Sequence, residues 1–493
     1  MEMIWYLLAL FLIFLVSFWF LFRPIVGCLP EFLQNRHRLL EWTTEVLAEQ
    51  PTQTVTYHRP GTVWGVVTAN PKNVEYALKT HFENFPKGRY FISTLEDFLG
   101  QGIFNSDGHL WKVQRKTASF EFNTKSLRNF VVDTVRFEIQ HRLLPLLQRA
   151  ATAGQTIDLQ DVLERFTFDN VCKVAFGADP ACLGGDVVGS DPGSSYLPPD
   201  FARAFNDATN FSAGRFQYAV PFLWRINKLL NIGSERRLRK SVDTVHEFAA
   251  GIIRARKKDE SANEKQDLLS RFMASGDNSE EFLRDIIVSF ILAGRDTTST
   301  SLAWFFWLLS SNPEAEQKIV DELKSIRSRN AYSGQIFGFE ELKEMHYLHA
   351  SISEALRLYP PVAVDTKECL EDDVFPDGTF IGKGWFLTYN AYAMGRMESN
   401  WGKDCRSFRP ERWLDENGCY RPESPFKYPV FHAGPRMCLG KDMAFIQMKS
   451  IAACVIEMFA IDVPGKDACP KHVLSLTLRM KDGLPVRVSV RNM

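Results

Sequence analysis

The sequence predicts a mainly α protein with a minor β region, one large domain carried behind an N-terminal transmembrane helix. Three observations carry this: long stretches of helical apolar spacing, a few short strand-like runs towards both ends, and an uncharged segment at the start. The start is the clearest. Ile4 to Phe22 is a run of 19 residues without a charge, interrupted only by Tyr6 and Ser17. A helix over that run would cover about 28 Å, close to the ~30 Å of a bilayer core. A cleaved signal peptide fits less well: Glu2 stands where a basic segment is expected, the run is too long, and no small-x-small cleavage site follows. The expectation is an anchor over 1–23 and a Pro/Gly hinge over 24–30. Arg23, Arg36 and Arg38 then favour a cytosolic body, 31–493.

Helical spacing recurs over 137–152, 201–209, 236–258, 280–311, 314–328, 340–358 and 441–459. Strand-like runs at 53–57, 62–68, 379–389 and 474–491 predict a small sheet assembled from both ends of the chain. Residues 183–199 read as a Gly/Ser/Pro-rich surface loop, and 254–265 as a charged connector. No linker divides the body, so one helix-rich domain is expected.

Composition narrows the function. Hydrophobic residues make up 45% of the chain, with 39 Phe and 11 Trp, which suits a large apolar interior able to enclose an apolar small molecule. Lys+Arg 58 against Asp+Glu 59 leaves a net charge of −1 and no electrostatic reason to bind nucleic acid. Nine cysteines with no Cys-x-x-Cys pair argue against a disulfide framework or a zinc cluster.

One cysteine stands apart. Phe431-His-Ala-Gly-Pro-Arg-Met-Cys-Leu-Gly440 leads directly into the helical run from Lys441. Cys438 therefore sits at a helix N-terminus, where free N–H groups and the helix dipole favour a thiolate, the form a metal takes. Gly434 and Gly440 allow a tight turn around the sulfur, and Arg436 offers paired donors to a carboxylate. A phosphate loop is excluded by the Gly434–Gly440 spacing and by Asp442 after Lys441. A zinc-protease motif is excluded because His246-Glu247 lacks its second histidine.

The pattern Phe431-x-x-Gly434-x-Arg436-x-Cys438-x-Gly440 resembles the haem-binding signature of the cytochromes P450. The resemblance implies the P450 haem-thiolate fold, with haem b held through Cys438, molecular oxygen as co-substrate, and electrons from NADPH through a separate NADPH–cytochrome P450 reductase. A thiolate ligand favours O–O cleavage, hence oxygen activation. It also implies a single-pass protein of the endoplasmic reticulum membrane.

Other stretches fit the same family. Ala293-Gly-Arg-Asp-Thr-Thr298, inside a helix capped by Ser279 and stopped at Asn312-Pro313, resembles the family's oxygen-binding helix. Gly294 is expected to leave room for a small ligand, and Thr297 to bond back to the carbonyl four residues earlier. The resemblance gives Thr297 the stabilisation of activated oxygen and Asp296 the relay of protons. Glu354-Ala-Leu-Arg357 with Arg412 resembles the structural Glu/Arg/Arg triad; Trp413, where Phe is usual, is a mild departure expected to leave the charges intact. Trp111-Lys-Val-Gln-Arg115 sets two side chains on one helical face, by analogy towards a haem propionate.

Phe168-Asp-Asn-Val-Cys172, Phe176-Gly177 and the block Tyr428 to Lys449 resemble the plant fatty-acid ω-hydroxylase branch, although the hinge is shorter than usual there. This implies oxidation of a fatty acid's terminal carbon, or of a jasmonoyl-amino acid or a steroid side chain. The substrate pocket is expected over 90–104, 205–216, 286–297, 361–366 and 475–478, with Val362, Val364, Leu476 and Leu478 as apolar candidates. Two other classes, a haem-thiolate isomerase or dehydratase and a non-catalytic haem sensor, are disfavoured by Thr297 and by the lack of a histidine in 290–300.

Overall fold

The computed structural model describes residues 27–491 except 61–62, 123–124, 185–199, 219, 221–222, 260–266, 275–278 and 330–335. The expected span 4–22 lies outside the described residues, as do most of the 183–199 loop and the end of the 254–265 connector. Among the described residues no helix is long and apolar enough to cross a membrane. The principal helices are α1 (Leu29–Asn35), α2 (Leu39–Glu49), α3 (Gly88–Leu99), α4 (Gly108–Phe122), α5 (Lys125–Glu138), α6 (Leu144–Ala153), α7 (Leu159–Phe176), α8 (Phe201–Gly214), α9 (Gly233–Lys258), α10 (Glu280–Ile291), α11 (Thr297–Ser310), α12 (Pro313–Arg329), α13 (His346–Leu358) and α14 (Lys441–Met458). The strands are β1 (Thr54–Arg59), β2 (Val63–Thr68), β3 (Thr156–Asp158), β4 (Val364–Glu368), β5 (Asp373–Val374), β6 (Phe380–Ile381), β7 (Phe386–Asn390), β8 (Phe459–Asp462), β9 (His472–Leu474), β10 (Leu478–Met480) and β11 (Pro485–Val490).

The largest sheet has the order β1-β2-β7-β4, joining the N-terminal hairpin to strands from the second half; β2 and β7 run parallel, with Gly65 opposite Phe386. A second sheet, β3-β11-β8, again ties distant segments together. The expected strand 379–389 breaks into β6 and β7 because Gly382–Trp385 forms a turn in which Gly384 has φ +75°. The run 474–491 likewise divides into the β9–β10 hairpin and β11. The 340–358 helix is interrupted at Met345, whose ψ of 78° is not helical. Residues expected to belong to the hinge and the connector partly join helices: Leu29 and Pro30 open α1, and α9 continues to Lys258.

Two large apolar cores meet inside the molecule. One gathers Leu302–Leu309 of α11 with α13 and α14; the other gathers Leu283–Leu292 with the aromatic residues of α3, α7, α8 and α9. The helical run 280–310 therefore passes from one core into the other, and residues 293–297 fall at the seam. The cysteine loop falls there too: Phe431 packs on the first core and Leu439 on the second.

Candidate functional site

At the seam the helix widens. Residues 292–296 form a π-turn between α10 and α11, and the Thr297 hydroxyl donates to the Ala293 carbonyl at 2.6 Å. The ladder is loosened where that threonine was expected to loosen it. Ala293 and Thr297 keep some accessible surface, while Arg295 and Asp296 are fully buried. Ser279 caps α10 by accepting from the Phe282 N–H.

Gly294 lies against a neighbouring helix. A Cβ there would meet Val171 Cγ2 at 2.6 Å and Val171 Cβ at 2.8 Å. The missing side chain lets this helix close on α7.

Asp296 is held by its neighbour. Arg295 Nη1 donates to Asp296 Oδ1 at 2.6 Å and to Asn206 Oδ1 at 2.9 Å, and Arg295 Nη2 reaches Glu164 at 2.8 Å. Arg479 closes the far side of Glu164 at 2.5 Å. Asp296 Oδ2 is buried without a partner, and burial raises this carboxyl despite Arg295. Glu164, Arg295 and Arg479 lie too far apart in sequence for spacing to have revealed them.

The cysteine loop is built by backbone. Cys438 N–H donates to the Phe431 carbonyl at 2.8 Å, and Gly434 has φ +67° with its Cβ position only 2.0 Å from the Leu78 carbonyl oxygen. Only glycine fits there. Burial raises the Cys438 thiol, opposed by the Gly440 N–H and by Arg115 and Lys441. The N-terminal position is as expected, but desolvation outweighs it while the sulfur is unligated. The residue nonetheless keeps accessible surface. All nine cysteines are free thiols.

Around this loop lies a cationic cluster that sequence spacing caught only in part. Arg115 donates to the Met437 carbonyl, and the Arg436 guanidinium lies 4.2 Å over the Trp111 ring. Arg436 also pairs with Asp107 at 2.5 Å, and Asp107 accepts from the Lys87 and Gly88 N–H groups. Lys87 Nζ reaches Asp365 at 2.6 Å and Lys367 Nζ at 2.9 Å, with His432 Nε2 3.4 Å from the same carboxylate. Burial pushes Lys367 down to about 7, despite Asp365, and holds His432 neutral at about 4. Burial likewise lowers Arg115 and Arg436. Lys87, Lys367 and Arg436 thus share two carboxylates, Asp107 and Asp365, while Arg115 is bonded to a backbone carbonyl. The surplus of cationic side chains over carboxylates beside the Cys438 thiol fits a flat apolar group bearing carboxylates, such as haem.

The triad is assembled. Glu354, wholly buried, accepts from Arg357 Nε and Nη2 and from Arg412 Nε, each at 2.8 Å, and from the Arg409 N–H at 2.9 Å. Trp413 Nε1 adds a further donor at 2.9 Å, so the replacement of Phe is not neutral to the network. Of the apolar candidates, Leu478 is fully buried in the first core and Val364 packs against it, whereas Val362 is exposed and Leu476 half-buried against the second.

The family model "Cytochrome P450" matches residues 20–484. The chain is 53% identical over 94% of its length to cytochrome P450 CYP94D108 of Paris polyphylla, covering 91% of that protein. It is 47% identical to cytochrome P450 94B1 of Arabidopsis thaliana and 44% identical to cytochrome P450 94A1 of Vicia sativa, in each case over 95% of this chain and 90% of the relative.

Proposed function

The chain belongs to the cytochrome P450 family, and we propose that it is a membrane-anchored monooxygenase hydroxylating the terminal carbon of long-chain fatty acids at a haem held by Cys438. The observation that carries the haem assignment is the exposed Cys438 at the seam of two apolar cores, beside a cluster in which cationic side chains outnumber carboxylates. When bound, a thiolate-ligated haem supplies oxygen activation with electrons from NADPH through a reductase. The protein's own part is distinct. Arg115, Arg436, Lys87 and Lys367 would hold the propionates; Trp111 fixes the Arg436 plane. Cys438 would be the residue that ligates the iron, and the Gly440 N–H and Arg115 would favour its thiolate against the burial that raises it. The Thr297 hydroxyl, turned back on Ala293, is free to accept a hydrogen bond, and the unpartnered Asp296 Oδ2 can hold a proton within the buried quartet.

The fatty-acid reading rests on the 168–177 and 428–449 blocks, which resemble plant ω-hydroxylases. The membrane anchor over 4–22, placement in the endoplasmic reticulum and the reductase partner belong to the same proposal. The test is turnover of purified protein with reductase, NADPH and a C12–C18 acid series, beside Cys438→Ala. Terminal alcohols from the wild type and none from the variant are expected. Absence of product from haem-loaded wild type would remove the fatty-acid reading.

A further inference from the structure

A cavity of 220 Å³ opens between the α1–α2 turn, the end of α8 and strand β9. Its walls combine apolar residues such as Leu474 with Arg36, His37, Asn210, Gln217 and His472. Arg36 and His37 are exposed and make no hydrogen bond or ion pair among the described residues. The Asn210 side-chain oxygen is buried without a partner. Since amide oxygen and nitrogen are interchangeable by a flip, that carboxamide can present a donor instead. Glu41 is 3.8 Å from His472 Nε2 and accepts from the Tyr392 hydroxyl at 3.3 Å.

The wall is rigid. Arg215, between Gly214 and Gln217, is fully buried and held by Glu235 at 2.6 Å, Asp97 at 2.7 Å and the Thr94 carbonyl at 2.8 Å. Gln217 Nε2 donates to the Leu474 carbonyl at 2.9 Å, fastening this wall to β9. Two elements also connect the cavity with the site. The β9–β10 hairpin carries His472 at its open end, and beyond its tip the Leu478 N–H bonds to Pro361, next to exposed Val362. On α8, Asn206 bonds Arg295 of the seam, and Asn210 one helical turn later lines the cavity.

We propose that this cavity is the anchoring subsite for the substrate's carboxylate, with Arg36 as its cation and His37 and Asn210 as further donors. This rests on the fatty-acid reading and deepens it: terminal oxidation requires the acid group to be held at the end remote from the haem. The recognised chemistry is a carboxylate on an apolar chain, whether from a long-chain fatty acid or a jasmonoyl-amino acid; a neutral steroid side chain would make no use of it.

The test is binding of radiolabelled hexadecanoate and methyl hexadecanoate to the haem-loaded full chain by equilibrium dialysis, for wild type, Arg36→Gln and Arg36→Lys. Arg36→Gln is expected to raise the Kd of the acid roughly two- to fivefold, the loss of one ion pair at an exposed cation. The ester is expected to be unaffected and Arg36→Lys to keep most of the affinity. The oxidation products of the acid should spread from the terminal carbon inward in Arg36→Gln. An unchanged acid Kd, or equal losses for acid and ester, would overturn the subsite while leaving wild-type ω-hydroxylation intact. Wild type that binds neither probe would fail the fatty-acid reading. In that case Arg36-dependent binding of jasmonoyl-isoleucine would support the subsite with the other acid, and Arg36-independent binding would overturn both.

Discussion

Trp413→Phe is the substitution that best separates a packing residue from a member of the charge network. In the wild type the Trp413 indole is buried and donates to Glu354 Oε2 at 2.9 Å. Removing it deletes one bond to a buried carboxylate, worth about 1.5–3 kcal/mol, together with the packing of the lost ring atoms. Trp401→Phe is the matched control. That indole lies in the same aromatic cluster, 5.5 Å from Trp413, and donates at 2.9 Å to the neutral Met394 carbonyl, a bond worth about 0.5–1.5 kcal/mol. Both rings become Phe, which keeps a face for the Arg357 and Lys427 cations over Trp401, so the hydrogen-bond terms set the difference and Trp413→Phe should destabilise by about 1 kcal/mol more than Trp401→Phe. Urea unfolding of the haem-loaded variants measures both, compared at the wild-type m-value. In a Glu354→Gln background, itself costing on the order of 3–5 kcal/mol because two guanidiniums lose their counter-charge, the excess should vanish. Equal costs for the two tryptophans in the wild-type background would refute the assignment of Trp413 to the network.

Two further predictions concern the seam. Lys367 titrates near about 7 in the haem-free protein because it is buried. Above that pH a propionate must recruit a proton to it, so haemin uptake followed at the Soret band should weaken by up to about tenfold per pH unit above 7; Lys367→Met should flatten the profile, and a flat wild-type profile would count against a propionate contact. The depressed value has a second sign: above about 7 the unfolded chain binds this proton and the folded chain does not, so this group's contribution to haem-free stability rises with pH towards the ordinary lysine range. Gly294→Ala should cost about 1–3 kcal/mol by overpacking on Val171, and Val171→Ala should recover most of it in the double variant. No recovery would mean that the glycine serves the opening and not the helix contact.

What the sequence made legible is what is local. Cys438 with its flanking glycines, Trp111 with Arg115, and Glu354 with Arg357 are held together by spacing within one turn or loop, so residue type and interval suffice to find them. Lys87, Asp107, Asp365 and Lys367 are ordinary charges in sequence and become a site only when β4, the start of α3 and the cysteine loop converge. One signal was available. Asp365 and Lys367 alternate along a strand and so share a face, and β4 buries that face. Gly294 shows the opposite limit: its small size was read correctly, but which neighbour needed the space depends on where α7 crosses. The broken helix at Met345 and the divided 379–389 strand are turns whose backbone angles no apolar pattern encodes.

The seam explains why so much polarity gathers in so apolar a molecule. From Thr298 to Leu309 the helix is buried on all sides, so its hydroxyls return to their own backbone: Ser299 to Arg295 and Ser301 to Thr297, as Thr297 does to Ala293. Charges cannot do this, and Arg295 and Asp296 are stable only through Glu164 and Arg479 from outside the helix. That quartet, two acids and two guanidiniums, balances within itself. The cluster at the cysteine loop has more cationic side chains than carboxylates, and burial lowers Lys367, Arg115 and Arg436 together. The two clusters therefore have different requirements. The quartet closes the helix without help, whereas on the proposed haem assignment the propionates would offset the cationic surplus at the cysteine loop, so that their affinity would add to the stability of the loaded protein.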